Sequence, residues 1–249
     1  MDAFNLRQIM QASLIFSVDH NDQLPAATDV HDYARILAED AGLDVANMWI
    51  SRIDPAYDDQ SLATVLTSAK TRPRELDPAF KALKPSVAVV LGTIRTNMPP
   101  TTPIAWTRGL QPDGTWAAHS PYGTSGGYIA FLGGNVVFYK NLNEPDGRLM
   151  RFDGKGTTAN ILESLPPGCR IGEYIPTPAE QETWSRATRE FQKEELRARY
   201  APLIALALLW LPFIGLSIYR FRKGKPGAIT VLLWPLLFML LFTLLMPMC

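Results

Sequence analysis

Residues 127–140 read GYIAFLGGNVVFYK, and this stretch decides the fold. Two runs rich in aromatic and β-branched residues, 127–132 and 136–140, flank the tripeptide Gly-Gly-Asn at 133–135. Short apolar runs joined by glycine and asparagine are typical of a β-hairpin. We therefore predict two antiparallel strands. The side chains expected to join the core or the sheet are Ile129, Phe131, Val137 and Tyr139.

The segment just before the hairpin raises a question of chemistry. Gly123–Gly127, GTSGG, has the G-x-S-G-G form of a serine-protease nucleophile loop, and His119 lies shortly before Ser125. A nucleophilic serine needs a base within hydrogen-bond reach, and the base needs a group that orients it. Known triads join separate parts of a fold, whereas these two residues are close in sequence. We predict a turn here and assign no catalytic residue. A serine hydrolase that uses Ser125 stays as the alternative.

The remaining periodicity predicts helices first and strands afterwards. Asn5–Val18 carries Leu6, Ile9, Met10 and Leu14 at helical spacing. A second helix is predicted at His31–Gly42, and Gly42 suits its C-terminal end. Strands are predicted at 85–92 and 104–108, an extended segment at 47–55, and a short helix at the start of 157–171. This order favours an α+β fold, with the N-terminal helix packed on a small antiparallel sheet.

Composition excludes several classes of function. The 249 residues carry a formal net charge of zero, which argues against nucleic acid as a partner because phosphate contacts need a basic surplus. Two cysteines, Cys169 and Cys249, are too few for a disulfide framework or a structural zinc site. The sequence has no glycine-rich phosphate loop or dinucleotide motif. We therefore predict no cofactor, and no small-molecule substrate is evident.

One polar turn resembles the beginning of a calcium loop. Asp19, Asn21 and Gln23 alternate in it, but the glycine and the distal glutamate of such a loop are missing. A polar turn that ends a helix explains the same residues. We expect no metal site, and we interpret His20, His31 and His119 as surface or capping residues rather than ligands.

The C-terminal part is strongly apolar. Residues 201–219 and 228–249 contain no charge, and each is long enough as a helix to cross a hydrocarbon core of about 30 Å. The basic connector 220–227 would join them into a two-helix transmembrane hairpin, preceded by an amphipathic helical stalk at 177–200 and a globular domain at 1–176. Thr177, Pro178 and Glu180 predict the start of the stalk as a capping box.

The orientation of this predicted hairpin is ambiguous. The connector carries four Lys/Arg, whereas the flank 185–200 carries five together with three glutamates, so the positive-inside count is almost tied. A compact basic connector is usual on the cytoplasmic side, which favours residues 1–200 outside. The sequence thus predicts an integral protein of a bacterial inner membrane with a periplasmic head. A cytosol-facing membrane adaptor is the alternative.

Three segments resemble a known family. Asn5–Pro25, NLRQIMQASLIFSVDHNDQLP, resembles the segment after the leader helix of bacterial type II secretion pseudopilins of planctomycete and verrucomicrobial type. Asn47–Pro55 resembles their following W-x-x-x-x-D-P stretch. Gly126–Leu142 is similar to their closing hairpin, with Gly133 where an aspartate is usual. The resemblance implies a pilin-like head and pilin-like or secretion-system subunits as partners.

The chain departs from this family in two ways. No apolar leader of about 20 residues precedes Asn5, and pseudopilins are not expected to carry a C-terminal transmembrane hairpin. Two interpretations are a start upstream of Met1 and a derived head anchored through its C-terminal part. We predict a non-enzymatic, membrane-anchored structural or interaction protein of a secretion or pilus-like assembly.

Overall fold

The computed structural model describes residues 2–57, 64–69 and 71–223. The helices of this part are α1 (Asp2–Val18), α2 (Val30–Asp40), α3 (Pro78–Lys81) and α4 (Pro178–Arg222). The strands are β1 (Val87–Leu91), β2 (Pro103–Thr107), β3 (Gly127–Phe131), β4 (Val136–Tyr139), β5 (Leu149–Met150), β6 (Thr157–Thr158) and β7 (Arg170–Gly172). Five of them form one antiparallel sheet in the order β4-β3-β2-β1-β7, and β5 pairs with β6 separately.

Helix α1 packs across β2, β3 and β4. Its residues Leu6, Ile9 and Met10 are buried at the predicted helical spacing. Every residue of β1 and β2 is buried, so both faces of the central strands are covered. The fold is therefore α+β with the N-terminal helix against an antiparallel sheet.

The predicted hairpin is confirmed. Its strands pair in the register Tyr128 with Phe138 and Ile129 with Val137. Ile129 is fully buried, as expected, whereas Val137 joins the sheet but stays 41 % exposed. The difference arises because β3 has neighbours on both sides and β4 is the edge of the sheet.

Of the remaining predictions of local structure, one is confirmed and two differ from the structure. Helix α2 is confirmed, and Gly42 follows it with φ +73°, the left-handed region that glycine enters freely. The segment 47–55 is not wholly extended, because a 3-10 turn spans Ala46–Trp49 and buries Trp49. The stretch 157–171 begins with strand β6 rather than a helix, and its 3-10 turn comes later, at Ile161–Ser164.

The capping box at the start of α4 is confirmed. Glu180 Oε2 accepts the Thr177 N–H at 2.8 Å, and Thr177 Oγ1 accepts the Glu180 N–H at 3.4 Å. The chain divides into two compact units, Met1–Glu190 and Phe191–Cys249. The first turns of α4 therefore belong to the first unit.

The predicted transmembrane hairpin is wrong for the part of the chain that the structure describes. No helix there offers an apolar stretch long enough to cross a bilayer. The first predicted span, 201–219, is not a separate apolar helix but continues α4, whose first half is charged and which contains Pro202 and Pro212. The second, 228–249, lies outside the described residues. The predicted integral inner-membrane localisation is corrected with it.

Candidate functional site

The most deeply buried ion pair among the described residues lies at the end of β2. Arg108 follows the strand directly, and its Nη2 lies 3.0 Å from Asp54 Oδ1, with the two side chains 1 % and 0 % exposed. Arg108 Nη1 donates to the Pro85 carbonyl at 2.9 Å, and Ser86 Oγ donates to Asp54 Oδ2 at 2.6 Å. Buried charges need this kind of pairing, since an unpaired charge in an apolar interior is expensive. The pair therefore holds the 47–55 segment against the sheet.

Helix α4 closes over this ion pair. The Arg108 guanidinium carbon lies 4.6 Å from the ring centroid of Trp184, a cation–π contact. The Trp184 indole is buried, and Lys84 Nζ lies 5.6 Å from the same ring. Lys84 also forms an ion pair with Glu180 at 2.6 Å. The start of the predicted stalk is thus part of the head.

A cleft of about 500 Å³ opens beside Arg108. Its walls come from the loop after β2, the segment after β7 and the first turns of α4. The side chains that bear on its chemistry are Arg108, Gln111, Thr115, His119, Glu173 and Tyr174. The loop is shaped by a bridge between Leu110 and Trp116 and by Gly114, at φ +83°. It is the most polar concave site among the clefts described here, and it is the candidate binding site.

The surroundings shift the pKa of two titratable groups in the cleft, Glu173 and His119. Burial raises the pKa of the Glu173 carboxyl, and this effect exceeds the opposing influence of the Gly109 N–H, which donates to Glu173 Oε2 at 3.1 Å, and of the Arg108 charge. Burial, followed by the positive charge of Arg108, lowers the pKa of His119, while Asp54 opposes the shift. At neutral pH the His119 imidazole is therefore uncharged.

The GTSGG segment, for which a turn was predicted, has a structural explanation. Ser125 is exposed at the end of a 3-10 turn, Gly123–Ser125, and does not line the cleft that contains His119. A Cβ at Gly126 would meet the Tyr139 carbonyl oxygen and lie 2.7 Å from Phe138 Cζ, and one at Gly127 would lie 2.6 Å from the Trp116 ring. The glycines of GTSGG thus allow close packing of the hairpin.

The other two histidines have packing partners. His20 stacks on Phe16 with ring centroids 3.6 Å apart, and its Nδ1 lies 2.7 Å from the Phe16 carbonyl oxygen at the end of α1. His31 Nε2 lies 3.0 Å from the Leu83 carbonyl oxygen, and its ring packs edge-on against Phe80. His20 fits the interpretation as an exposed capping group, whereas His31 is half-buried and joins α2 to the α3 region instead of capping a helix.

The calcium-like turn packs against the loop that follows β1. Asn21 and Asp22 have φ +55° and +60°, and the Thr96 N–H donates to the Asp22 carbonyl at 2.9 Å. Asparagine and aspartate tolerate this left-handed backbone better than most residues. Within 2–57, 64–69 and 71–223, no group of three His, Cys, Asp or Glu could hold a metal ion.

A second surface feature is the open edge at β4. Val137 and Phe138 are 41 % and 44 % exposed on this strand. Phe138 packs edge-on against Tyr128 and Tyr122, with ring centroids 5.1 and 5.9 Å away. On the side of Val137, a groove of about 300 Å³ separates β4 from Leu149 and Met150 of β5.

Sequence reasoning missed the cleft and the ion pair beneath it. Arg108 was predicted at the end of a strand and Asp54 in the extended segment 47–55, without a link between them. A charged residue that directly follows an apolar strand was the available signal, since such a charge requires a partner.

Comparison with protein families, with curated proteins and with solved structures gives no match to this chain.

Proposed function

We propose that this protein is a non-enzymatic structural subunit with a pilin-like head, which associates with other subunits of a secretion or pilus-like assembly through the open edge of β4. The single observation that carries the proposal is the exposed apolar strand at the end of the sheet. The resemblance of Asn5–Pro25 and Gly126–Leu142 to pseudopilins supports the class of assembly.

Strand β4 lacks the sequence features that prevent the edge strands of monomeric proteins from pairing with other chains. Edge strands are usually blunted by lysine, proline, a bulge or a covering loop, because free N–H and C=O groups pair with any available strand. Val136–Tyr139 contains neither charge nor proline, and its register with β3 is regular. An unprotected edge of this kind is suited to strand addition.

A second copy of this chain is the occupant that the edge fits. Antiparallel pairing of identical strands is two-fold symmetric, as in most homodimers. A register that places Val137 opposite Phe138 also places Lys140 opposite Asn135. The nearest charge then faces an amide rather than its own copy, so like-charge repulsion does not oppose the pairing.

Crosslinking in the producing cell tests the proposal. A photoreactive residue at Phe138 should give a crosslinked dimer of this chain, and Val137→Lys should abolish the dimer by placing a charge at the edge. The same photoreactive residue at Leu162, which is 43 % exposed but off the edge, and Leu162→Lys are the matched controls. Equal crosslinking from both positions, or no effect of Val137→Lys, would contradict the proposal. Crosslinks from Phe138 to another protein alone would reject a second copy as the occupant.

A further inference from the structure

The cleft beside Arg108 contains a carboxyl group without a matching cation. Glu173 lies half-buried in its wall, where its Oε2 accepts the Gly109 N–H at 3.1 Å. Among the described residues, no lysine, arginine or histidine forms an ion pair with it. A hydrogen bond from one backbone amide compensates only part of the lost hydration of a carboxylate.

The cations on this side of the head are engaged elsewhere. Arg108 is held by Asp54 at 3.0 Å and by the Pro85 carbonyl at 2.9 Å. Lys84 is held by Glu180 at 2.6 Å. If Arg108 or Lys84 paired with Glu173 instead, the carboxylate of Asp54 or Glu180 would lose its cation. The charge of Glu173 is therefore available to a cation from outside the fold.

The rest of the cleft suits an organic cation. Its volume of about 500 Å³ admits a small molecule or an extended side chain. Tyr174, which is partly exposed, contributes aromatic surface, which attracts ammonium and guanidinium groups. Gln111 and Thr115 add side-chain oxygens that accept hydrogen bonds. His119 brings no competing charge, because its imidazole is neutral at pH 7.

We infer that this cleft binds a primary ammonium or guanidinium group, which forms an ion pair with Glu173 against the aromatic wall. The group comes either from a small free amine or from a lysine or arginine side chain of a peptide. The site is separate from the β4 edge, so binding at the cleft is tested independently of the proposed assembly.

Calorimetric titration of the full chain tests this inference with two probes. Agmatine represents the small cations, and a glycine–lysine–glycine peptide blocked at both ends represents a basic side chain, with triglycine blocked in the same way as its neutral control. We expect the wild type to bind at least one cationic probe and not to bind the blocked triglycine. The tighter probe identifies the source of the cation.

Matched variants locate the binding. Glu173→Gln keeps the shape and the acceptor for Gly109 but removes the charge, so affinity should fall by about tenfold or more. Glu163→Gln makes the same charge change at an exposed residue outside the cleft and should leave affinity unchanged. Ala117→Leu narrows the cleft with Glu173 intact and should also weaken binding.

Two results would overturn the inference. The first is that the wild type, Glu173→Gln and Ala117→Leu bind the cationic probe with equal affinity. Circular dichroism checks that each variant is folded. The second is a wild type that binds neither cationic probe at millimolar concentration. The Val137→Lys variant, which disrupts the β4 edge, should bind the cation like the wild type.

Discussion

The guanidinium of Arg108 lies 4.6 Å from the ring centroid of Trp184, which joins the end of β2 to the beginning of α4. The indole covers a charge that is already paired with Asp54, and it is itself buried. The contact explains why the first turns of α4 belong to the same compact unit as the sheet.

Replacing this indole should destabilise the first unit. Trp184→Ala removes a large buried side chain and opens Arg108 to a cavity, so the free energy of unfolding should fall by about 3–5 kcal/mol. Phe191→Ala, on the same helix at a residue 48 % exposed, should cost less than about 1 kcal/mol. Urea unfolding followed by tryptophan fluorescence and circular dichroism measures both. Similar losses would show that the contact with Arg108 contributes little.

The Asp54–Arg108 pair should behave as a coupled unit. Asp54→Ala leaves the Arg108 charge buried without a partner, and Arg108→Met leaves Asp54 in the same state, so each should cost about 3–5 kcal/mol. The double variant removes both charges and should be less destabilised than the sum of the single variants. A double-mutant cycle from chemical unfolding measures the coupling. Additive losses would mean that the two charges do not stabilise each other.

The glycines of GTSGG should be required for packing. Gly126→Ala forces a methyl group against the Tyr139 carbonyl and the Phe138 ring, at φ +130°, and should cost about 3 kcal/mol. Gly154→Ala is the matched control, because Gly154 also has a positive φ, +71°, but nothing lies within 4 Å of its added methyl. That control should cost only about 1–2 kcal/mol. Equal melting temperatures of the two variants would refute this packing role.

Ser125 should not react as an activated nucleophile. It lies on an exposed turn, whereas His119 lines the cleft around Glu173. We therefore expect a fluorophosphonate probe to label wild type and Ser125→Ala equally weakly. Labelling of the wild type that disappears in Ser125→Ala would establish the serine hydrolase instead of the structural subunit.

Stability should depend on pH through Glu173. Because burial raises the pKa of Glu173 in the folded state above its unfolded value of 4.5, the neutral acid favours the fold. This contribution is complete below the unfolded pKa and is lost as pH rises through the folded pKa; Arg108 opposes the shift without reversing it. The Glu173→Gln variant should therefore gain stability relative to the wild type as pH rises above 4.5. Unfolding at a series of pH values checks this, and a constant difference would contradict it.

Local patterns predicted local elements well. The spacing of Leu6, Ile9 and Met10 identified α1, and the Gly-Gly-Asn turn identified the β3–β4 hairpin. The pairing of Thr177 with Glu180 identified the start of α4 to the residue. Each of these signals lies within a few residues of the element it specifies, where backbone propensity and capping chemistry are decisive.

Long-range contacts were not predictable in the same way. Strand β7 has only three residues, which is too short for an alternating pattern to predict a strand. It pairs with β1 from the far end of the domain. The cleft depends on Arg108, Glu173 and α4 meeting in space, which no spacing encodes. The apolar stretch 201–219 was interpreted as an independent span, whereas α4 joins it to a charged segment.

The position of Trp184 also determines where the chain can be shortened. A fragment that ends at Pro176, before the capping box, loses the indole that covers Arg108 and the Glu180 partner of Lys84. A fragment that ends at Glu190 retains both, together with every contact of the first compact unit. A fragment that keeps these contacts therefore ends near Glu190, inside the segment 177–200 that was predicted as a helical stalk outside the globular domain.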